Sequence, residues 1–188
     1  MKNFITEIFR NPPVLFTERL MLRKMERFDS EDMFEYASLP ETTEYLLWSP
    51  HPDLNYTRKY LAFIGGQYKN CQFYDWAVCL RDGGKMIGTC GFTKLDAKNM
   101  CGEIGYVINP AYRGKGYAAE AAKKVMEFGF DDLALQRIEA RYMIDNTASK
   151  RVMDKLKMQF EGVHRNAVQL RGEFVSVGVC SILRDEFK

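Results

Sequence analysis

The chain has 188 residues, 46% of them hydrophobic, which is enough for one domain that buries well over half of its unfolded surface. Its 27 Lys and Arg residues against 25 Asp and Glu residues give a net charge of +2, and no long run of one sign occurs. This balance favours neither nucleic acid nor an acidic membrane as a partner, and no stretch of about 18 apolar residues indicates a membrane span.

The cysteine and histidine content bounds the redox and metal chemistry. Five cysteines without paired C-x-x-C spacing and only two histidines predict reduced thiols and no metal site. Residues 1–13 mix charged and apolar side chains and lack the apolar core of a signal peptide. We therefore expect a soluble, cytoplasmic protein with a single domain over residues 1–188.

The first half of the chain has alternating strand and helix signals. Asp29-Ser30-Glu31-Asp32 supplies the capping and first-turn acidic residues of a helix, and a second helix is expected from about Asn55. Arg81-Asp82-Gly83-Gly84 is a hairpin signal between two apolar runs. The predicted strands cover about 14–24, 73–80 and 85–93.

The second half begins with a strand through Ile104, Tyr106 and Ile108 that stops at Asn109-Pro110. A long helix is expected from about Gly116, with Gly129 offering a C-cap. Asn146 is expected to cap a further helix after another strand. The later predicted strands cover about 137–144, 159–165 and 173–183, and the last two form a hairpin that could pair in a homodimer.

A glycine-rich basic turn joins the strand ending at Asn109 to the long helix. Gly114 and Gly116 permit backbone angles that strain other residues, and they let main-chain N–H groups approach a ligand. Arg113 and Lys115 add positive charge near a helix N-terminus, which already carries unpaired donors and about half a positive charge. The segment predicts a phosphate or pyrophosphate site, although a surface turn that needs glycine for geometry alone has the same pattern.

The same turn also satisfies a dinucleotide fingerprint, Gly114-x-Gly116-x-x-Ala119, with Glu139 about 20 residues further on. In that fold the first glycine follows the strand directly and the acid ends the next strand. Here residues 109–113 intervene, and Glu139 lies inside the next apolar run. Because only one strand–helix–strand unit is visible, a nicotinamide site is the less supported alternative.

The order Arg113-x-x-Gly116-x-Ala118 after a strand with Glu103, then a second strand and Asn146-x-x-Ser149, resembles the GNAT superfamily of acetyl-CoA-dependent N-acetyltransferases. The segment Thr17-Glu18-Arg19-Leu20-Met21-Leu22-Arg23 resembles the opening strand of its RimJ/RimL-type branch, which includes ribosomal-protein N-terminal acetyltransferases. The resemblance covers about 14–185. It implies an α/β (α+β) fold with a mixed, mostly antiparallel central sheet of about seven strands flanked by helices.

The resemblance implies acetyl-CoA as co-substrate and no metal. Main-chain groups at residues 107–109 would hold the pantetheine arm and the thioester, and the glycine-rich turn would hold the pyrophosphate. Asn146 would touch the cofactor arm in addition to capping its helix. The implied cofactor-binding residues are Val107, Ile108, Asn109, Arg113, Gly114, Lys115, Gly116, Tyr117, Ala118, Asn146 and Ser149.

Acetyl transfer to an amine needs a base for the ammonium and a proton source for the leaving thiolate. Glu103 lies where several superfamily members carry a catalytic glutamate, and an ordinary solvent-facing glutamate is the other interpretation. Many members place a tyrosine acid at the position of Met153, which cannot donate a proton. The resemblance then points to Ser149 as the acid, although water could protonate a thiolate since the pKa of a thiol is about 8.5.

A second departure from the family lies at Leu156-Lys157-Met158, where Leu-Gly-Phe is usual. Without the glycine a left-handed C-cap costs about 1 kcal/mol, so we expect this helix to end differently.

The acceptor cleft is expected between the aromatic, turn-rich region 40–55 and a loop at 165–173. Tyr45 and Trp48 of the first region could equally be core residues. His51, beside two prolines, is expected to be exposed and not a base.

The predicted function is transfer of an acetyl group from acetyl-CoA to a primary amine by direct attack with general-base assistance. The N-terminal amine of a protein, such as a ribosomal protein, is the acceptor that the branch implies. Two alternatives stay open: a catalytically silent acyl-CoA-binding or sensor module, which Met153 favours weakly, and an acetyltransferase of a small-molecule amine.

Overall fold

An eight-stranded sheet forms the centre of the molecule. The computed structural model describes residues 7–187; residues 1–6 and 188 lie outside it, with the part of the signal-peptide expectation that falls on them. The strands are β1 (Leu15–Phe16), β2 (Leu20–Arg23), β3 (Tyr74–Leu80), β4 (Met86–Asp96), β5 (Cys101–Ile108), β6 (Arg137–Met143), β7 (Gln159–Leu170) and β8 (Glu173–Leu183). Their order is β1-β2-β3-β4-β5-β6-β8-β7, and within the described residues only β5 and β6 pair in parallel.

The expected mixed, mostly antiparallel sheet is confirmed. It has eight strands, close to the expected seven, because segment 14–24 forms two strands instead of one. Thr17 turns the chain between them: its N–H donates to the Leu20 carbonyl at 2.9 Å, and its hydroxyl accepts from the Leu20 N–H at 2.9 Å. β1 therefore folds back onto β2.

Helices cover both faces of the sheet and bury two separate cores. In the described chain they are α1 (Ser30–Ala37), α2 (Pro40–Thr43), α3 (Leu54–Lys69), α4 (Tyr117–Asp131) and α5 (Thr147–Lys155), with 3-10 turns at Ile8–Arg10, Arg27–Asp29 and Pro110–Tyr112. Alternation along β3 sends Trp76 and Val78 into the core beneath α4 and α5, and Ala77 and Cys79 into the core beneath α1 and α3.

Gly129 lies inside α4, which continues to Asp131, so the expected glycine C-cap is wrong. The glycine serves packing instead. A Cβ at this position would lie 2.8 Å from Cζ of Phe92 and 3.0 Å from Cδ1 of Ile138, both buried side chains of the sheet. Its absence lets the helix approach the sheet closely.

Partial pairing of β5 with β6 opens the sheet at one end. Residues 101–104 pair in parallel with residues 137–140. Beyond them β5 stays paired with β4 as far as Ile108, and β6 stays paired with β8 as far as Met143. The two strands therefore diverge after Ile104 and leave a wedge beside residues 105–108 of β5.

The end of α5 keeps a left-handed cap without a glycine. Lys157 has a φ of 59°, and the N–H of Met158 returns to the Met153 carbonyl at 3.0 Å. The expectation that this helix ends differently is wrong, because Lys157 itself adopts the strained conformation.

The closing hairpin is longer than expected. β7 continues to Leu170, so most of the expected 165–173 loop is strand. Arg171 and Gly172, with φ of 49° and 94°, form a two-residue turn. The Arg171 guanidinium donates to the carbonyls of Thr43 at 2.7 Å and Glu44 at 2.9 Å, which ties the turn to the region after α2.

Candidate active site

The turn between β5 and α4 presents main-chain donors at a helix N-terminus. Gly114 and Gly116 have φ of 77° and 86°, in the left-handed region that strains other residues, and Gly116 is the N-cap of α4. Because Gly116 has no side chain, no capping side chain occupies the first-turn N–H groups. These donors and the helix dipole can hold an anion.

Arg19 braces this turn. Its guanidinium donates to the Lys115 carbonyl at 3.0 Å and lies 4.5 Å from the centre of the Tyr117 ring. Glu120 in the first turn of α4 accepts from Arg19 Nε at 2.7 Å and from the Thr17 hydroxyl at 2.6 Å. Burial by itself would raise the pKa of Glu120, but the hydrogen bonds from Thr17 and Arg19 outweigh it and the pKa lies below its usual value. Sequence reasoning misses this contact, since its only local signal is an acid in the first turn of a helix.

A cleft of about 590 Å³ extends from the turn to the wedge beside β5, where α5 forms the facing wall. Its volume is typical of ligand sites. The walls are the end of β5, the glycine-rich turn with the first turn of α4, one face of α5 from Ala148 to Lys155, and part of segment 41–46. The predicted cofactor-binding residues that it brings together are Val107, Ile108, Arg113, Gly114, Gly116, Tyr117, Ala118, Asn146 and Ser149.

Asn109 and Lys115 are the predicted cofactor contacts that do not line this cleft. The N–H of Asn109 donates to the Ile87 carbonyl at 2.8 Å, and its side-chain amide donates to Glu35 at 2.9 Å. Asn109 is 1% exposed. Its bonds fix the start of the turn, and its N–H is already occupied.

Hydrogen-bond alternation along β5 decides which main-chain groups face the wedge. Since Asn109 donates to β4, Val107 also directs its N–H and C=O towards β4 in an antiparallel ladder. The main-chain groups of Tyr106 and Ile108 then lie on the open edge. In agreement, the Ile108 carbonyl accepts from Arg113 Nε at 3.1 Å. Tyr106 was absent from the predicted set, and its place in the alternating run with Ile108 is the signal that could have found it.

Tyr106 and Ser149 form a polar pair in the cleft wall. The phenol oxygen lies 3.0 Å from the Ser149 carbonyl and 3.1 Å from the Ser149 Oγ. Burial raises the pKa of Tyr106, and the hydrogen bond to Ser149 opposes that change.

Asn146 caps α5 as expected, and its Oδ1 accepts from the Ser149 N–H at 3.0 Å. Met153, which has no proton to donate, is 1% exposed and belongs to the core. Its side chain therefore serves packing.

Glu103 lies on β5 before the wedge opens and does not line the cleft. Its carboxylate accepts from the Thr93 hydroxyl at 3.0 Å and pairs with Arg141 Nε at 3.2 Å. Its side chain is 23% exposed and shares a sheet face with Val107. The structure therefore places Glu103, the predicted base, on the sheet face opposite α4, where Arg141 pairs with its carboxylate.

Glu139, the acid of the dinucleotide alternative, lies in a strand paired on both sides. It pairs with Arg137 at 2.9 Å and with Arg141 at 3.7 Å. The parallel unit β5–α4–β6 is the only one in residues 7–187. A dinucleotide fold needs several such units, so this alternative has no support.

The aromatic region 40–55 contributes to the cleft in part. Tyr45 lines it, whereas Trp48 is 36% exposed and does not. The expectation of an exposed His51 is wrong: it is 7% exposed, and its Nδ1 lies 2.8 Å from the Thr57 hydroxyl. The His51 ring packs against the rings of Trp48 and Tyr56, and burial lowers its pKa.

Metal and disulfide chemistry were not expected for this chain. The five cysteines are free thiols, and Cys79, Cys90 and Cys180 are buried. Across residues 7–187 no group of three or more His, Cys, Asp or Glu side chains could hold a metal ion. Nor does any helix in this part of the chain have the length and apolar character needed to cross a membrane.

Comparison with known proteins places these features in a family. The model of the Acetyltransferase (GNAT) domain matches residues 19–159. The uncharacterised N-acetyltransferase p20 of Bacillus licheniformis is 36% identical over 173 residues, covering 92% of this chain and 97% of its own. A GNAT-family acetyltransferase of Bacillus anthracis is 32% identical with a TM-score of 0.82, covering 93% of this chain and 100% of its own. RimL, a ribosomal L7/L12 alpha-N-protein acetyltransferase in complex with coenzyme A, shares the fold at 19% identity and a TM-score of 0.77, with 91% and 98% covered.

Proposed function

Because the chain belongs to the GNAT acetyltransferase family and is an acetyl-CoA-dependent N-acetyltransferase, we propose that its acceptor is the N-terminal amine of a protein, as in the RimJ/RimL-type branch. The opening segment from Thr17 to Arg23 supports this branch, and RimL has the same fold. The observation that carries the proposal is the cleft joining the glycine-rich turn to the β5 wedge. A silent acyl-CoA-binding module and a small-molecule acceptor are the less favoured readings.

We propose that the two ends of the cleft hold the two ends of the co-substrate. The main-chain N–H groups of residues 113–118 would bind the pyrophosphate, where Gly114 and Gly116 place no Cβ in the way. The open edge of β5 at Tyr106 and Ile108 would bind the pantetheine arm, assisted by Asn146. Asn109 and Lys115 would act by shaping the turn and by adding charge.

Acetyl-CoA supplies a thioester carbonyl as the electrophile. For the proton that leaves the attacking nitrogen we propose Glu103, directly or through water, and for the proton that the thiolate gains we propose Ser149. The Tyr106 phenol holds the Ser149 oxygen in place at 3.1 Å. The main-chain N–H of Ile108 is a candidate donor to the developing oxyanion.

The proposal is tested by thiol release from acetyl-CoA with a panel of short peptides that have free N-termini. The same peptides with blocked N-termini but free lysines are the matched control. Turnover only with free N-termini supports the proposed acceptor, whereas equal turnover of simple amines would favour a small-molecule acceptor. Glu103→Gln should lower kcat far more than cofactor affinity, and unchanged kcat would remove Glu103 from the mechanism.

The remaining parts of the proposal concern organisation. We propose that residues 1–188 form one acetyltransferase domain acting in the reducing cytoplasm, where free thiols persist. A homodimer through β7 is supported by its place at the sheet edge and by the exposed side chains of Phe160 and Val163. Sedimentation of the wild type and of Phe160→Asp would test it, with a monomer in both ruling the dimer out.

A further inference from the structure

A second carboxyl, that of Asp75, lies on the same sheet face as Glu103. The register places Asp75 of β3 beside Gly91 of β4, and Gly91 beside Gly105 of β5. A Cβ on Gly91 would lie 2.7 Å from Asp75 Oδ1. The carboxyl therefore leans over Gly91 towards β5, at the level where β5 leaves β6.

The Asp75 carboxyl lacks a cationic partner. Oδ1 accepts from the Trp76 N–H at 3.0 Å, and the Thr89 hydroxyl lies beside the carboxyl. None of the ion pairs within residues 7–187 includes Asp75. Burial raises its pKa to about 7, against the hydrogen bonds from Trp76 and Thr89. The Asp75 side chain is half-buried and has no cation to offset its charge, which is a feature found at functional sites.

Two phenols belong to the core on the same sheet face as this carboxyl. Tyr36 is 2% exposed, and its hydroxyl has no hydrogen-bond partner among the described residues. Burial raises the pKa of Tyr36 and that of Tyr60, the latter to about 12, and the charge of Asp75 is the next largest cause for both. This face of the sheet thus holds a carboxyl without a cationic partner and, on α1, a buried hydroxyl without a hydrogen-bond partner.

An aromatic cluster extends from Tyr60 to the surface. The Tyr60 ring centre lies 5.4 Å from that of His51, which lies 5.5 Å from Trp48 and 4.9 Å from Tyr56. Trp48 and Tyr56 are 36% and 49% exposed. Aromatic faces that lead to a carboxylate are the surroundings that a protonated amine prefers.

We infer that Asp75 binds the ammonium group of the acceptor and takes its first proton, with Tyr60 and the aromatic cluster of Trp48, His51 and Tyr56 holding the adjoining carbon chain. This inference rests on the proposed function and names a recognition site for it. The occupant is the primary ammonium group of that acceptor, and n-butylammonium is the simplest probe of it.

The proton balance gives the two carboxyls separate tasks. Asp75 removes one proton from the ammonium, and the neutral nitrogen then forms the N–C bond to the thioester carbon. Glu103 takes the second proton as the intermediate forms, and the C–S bond breaks as the carbonyl returns. The thiolate takes a proton from Ser149 or water. The two carboxyls pass their two protons to solvent, and Ser149 or water regains one proton to replace the one given to the thiolate. One proton is therefore released per turnover.

Other titratable groups lie near Asp75, and their titrations must be distinguished from that of Asp75 in a pH profile. The phenols of Tyr36 and Tyr60 face the carboxyl, and the Tyr68 hydroxyl donates to the Asp75 carbonyl at 2.6 Å. Cys90 lies on the opposite sheet face, where burial raises its pKa. Glu103 with Arg141 lies one row further along the sheet. Burial raises the pKa of these phenols and of this thiol, so none of them titrates near 7.

The first test compares thiol release with two probes of equal chain length, n-butylamine and propanohydrazide, at pH 7. The butylamine nitrogen is protonated at this pH, whereas the hydrazide nitrogen is neutral and needs no first deprotonation. Asp75→Asn should lower kcat/KM about 100-fold or more for butylamine and less than about threefold for the hydrazide. Asp82→Asn, an exposed turn carboxyl, is the control for loss of charge. Equal losses on both probes, or none on butylamine, would overturn the inference.

The second test does not depend on turnover. The protein is labelled with carboxyl-13C aspartate, coenzyme A is bound, and NMR spectra are recorded as a function of pH. The Asp75 resonance, assigned by its loss in Asp75→Asn, should titrate near pH 7 and shift with butylammonium but not with n-butanol. A resonance that titrates below pH 5, or that ignores butylammonium, would contradict the inference. If wild-type enzyme releases no thiol with any free-amine probe, the proposed function fails, and this titration still decides the Asp75 site.

Discussion

Arg19 and Glu120 form an ion pair of 2.6 Å although 101 residues separate them in the chain. The pair fastens the start of β2 to the first turn of α4, and Arg19 also holds the Lys115 carbonyl. A turn that must present main-chain donors to an anion gains little from flexibility, because disorder would have to be removed on binding. The contact therefore connects the opening segment of the chain with the glycine-rich turn.

Replacing Arg19 should weaken binding of coenzyme A. We expect Arg19→Ala to raise Kd about tenfold, equivalent to about 1.4 kcal/mol, because the turn loses its brace and Glu120 loses its partner. Isothermal titration with coenzyme A measures the change. Arg58→Ala, on the exposed side of α3, is the matched control. An unchanged Kd in Arg19→Ala would show that the turn holds its shape without this contact.

Removing the Ser149 hydroxyl should slow release of the thiolate. Ser149→Ala is expected to lower kcat about tenfold, less than the 100-fold typical of a general acid, because water can protonate a thiolate. Tyr106→Phe should give a smaller loss, and the double variant should lose no more than Ser149→Ala, since both act through one hydroxyl. Single-turnover kinetics at saturating acetyl-CoA would measure these losses. Additive losses would contradict a shared role.

The half-buried Asp75 carboxyl should make stability depend on pH. Its raised pKa means that the folded state holds a proton that the unfolded chain loses near pH 4. Stability is therefore full below about pH 4 and falls as pH rises to about 7, by about one to a few kcal/mol. Thermal melts of Asp75→Asn should show a gain over wild type at pH 8 that shrinks as pH falls and disappears by about pH 4. A constant difference would mean that the carboxyl titrates normally.

Lys157 occupies a position that suits glycine. Lys157→Gly should raise the free energy of unfolding by about 1 kcal/mol, because glycine reaches a positive φ without a Cβ clash. Arg151→Gly, inside the same helix, should lower it by about 1 kcal/mol. Urea denaturation would measure both. Destabilisation by Lys157→Gly would indicate that a lysine contact offsets the strain.

Met153 should matter for packing and not for proton transfer. Met153→Ala is expected to lower the free energy of unfolding by about 2–5 kcal/mol through the cavity it leaves in the core beneath α5. Coenzyme A affinity at a temperature where the variant is folded should change less than about threefold. A large loss of kcat with little loss of stability would assign Met153 a part in the chemistry.

Local chemistry in the sequence was sufficient for the phosphate turn and for the caps. Asn109-Pro110 must end a strand, the two glycines must take left-handed angles, and Asn146 has a capping side chain, so each element follows from residues within a few positions. The strands and helices followed from the same kind of local signal, since their periods differ, whereas the mostly antiparallel sheet was implied by the family resemblance. The local signal was misleading at Gly129, which the sequence suggested as a helix C-cap. The helix needs glycine there because a Cβ would clash with Phe92.

Only the tertiary structure decided how the chain surrounds the reacting groups. Which carboxyl lies near the β5 wedge depends on register across three strands, because a shift of one residue would send Asp75 to the other face. Glu120, the partner of Arg19, and Tyr106, a partner of Ser149, are distant in sequence, so no local pattern encodes these contacts. The sequence by itself determined the glycine-rich turn, because its backbone angles follow from its own residues. The surroundings of Asp75 and Glu103 are set by long-range strand pairing, because their burial and charge come from residues that only folding brings together.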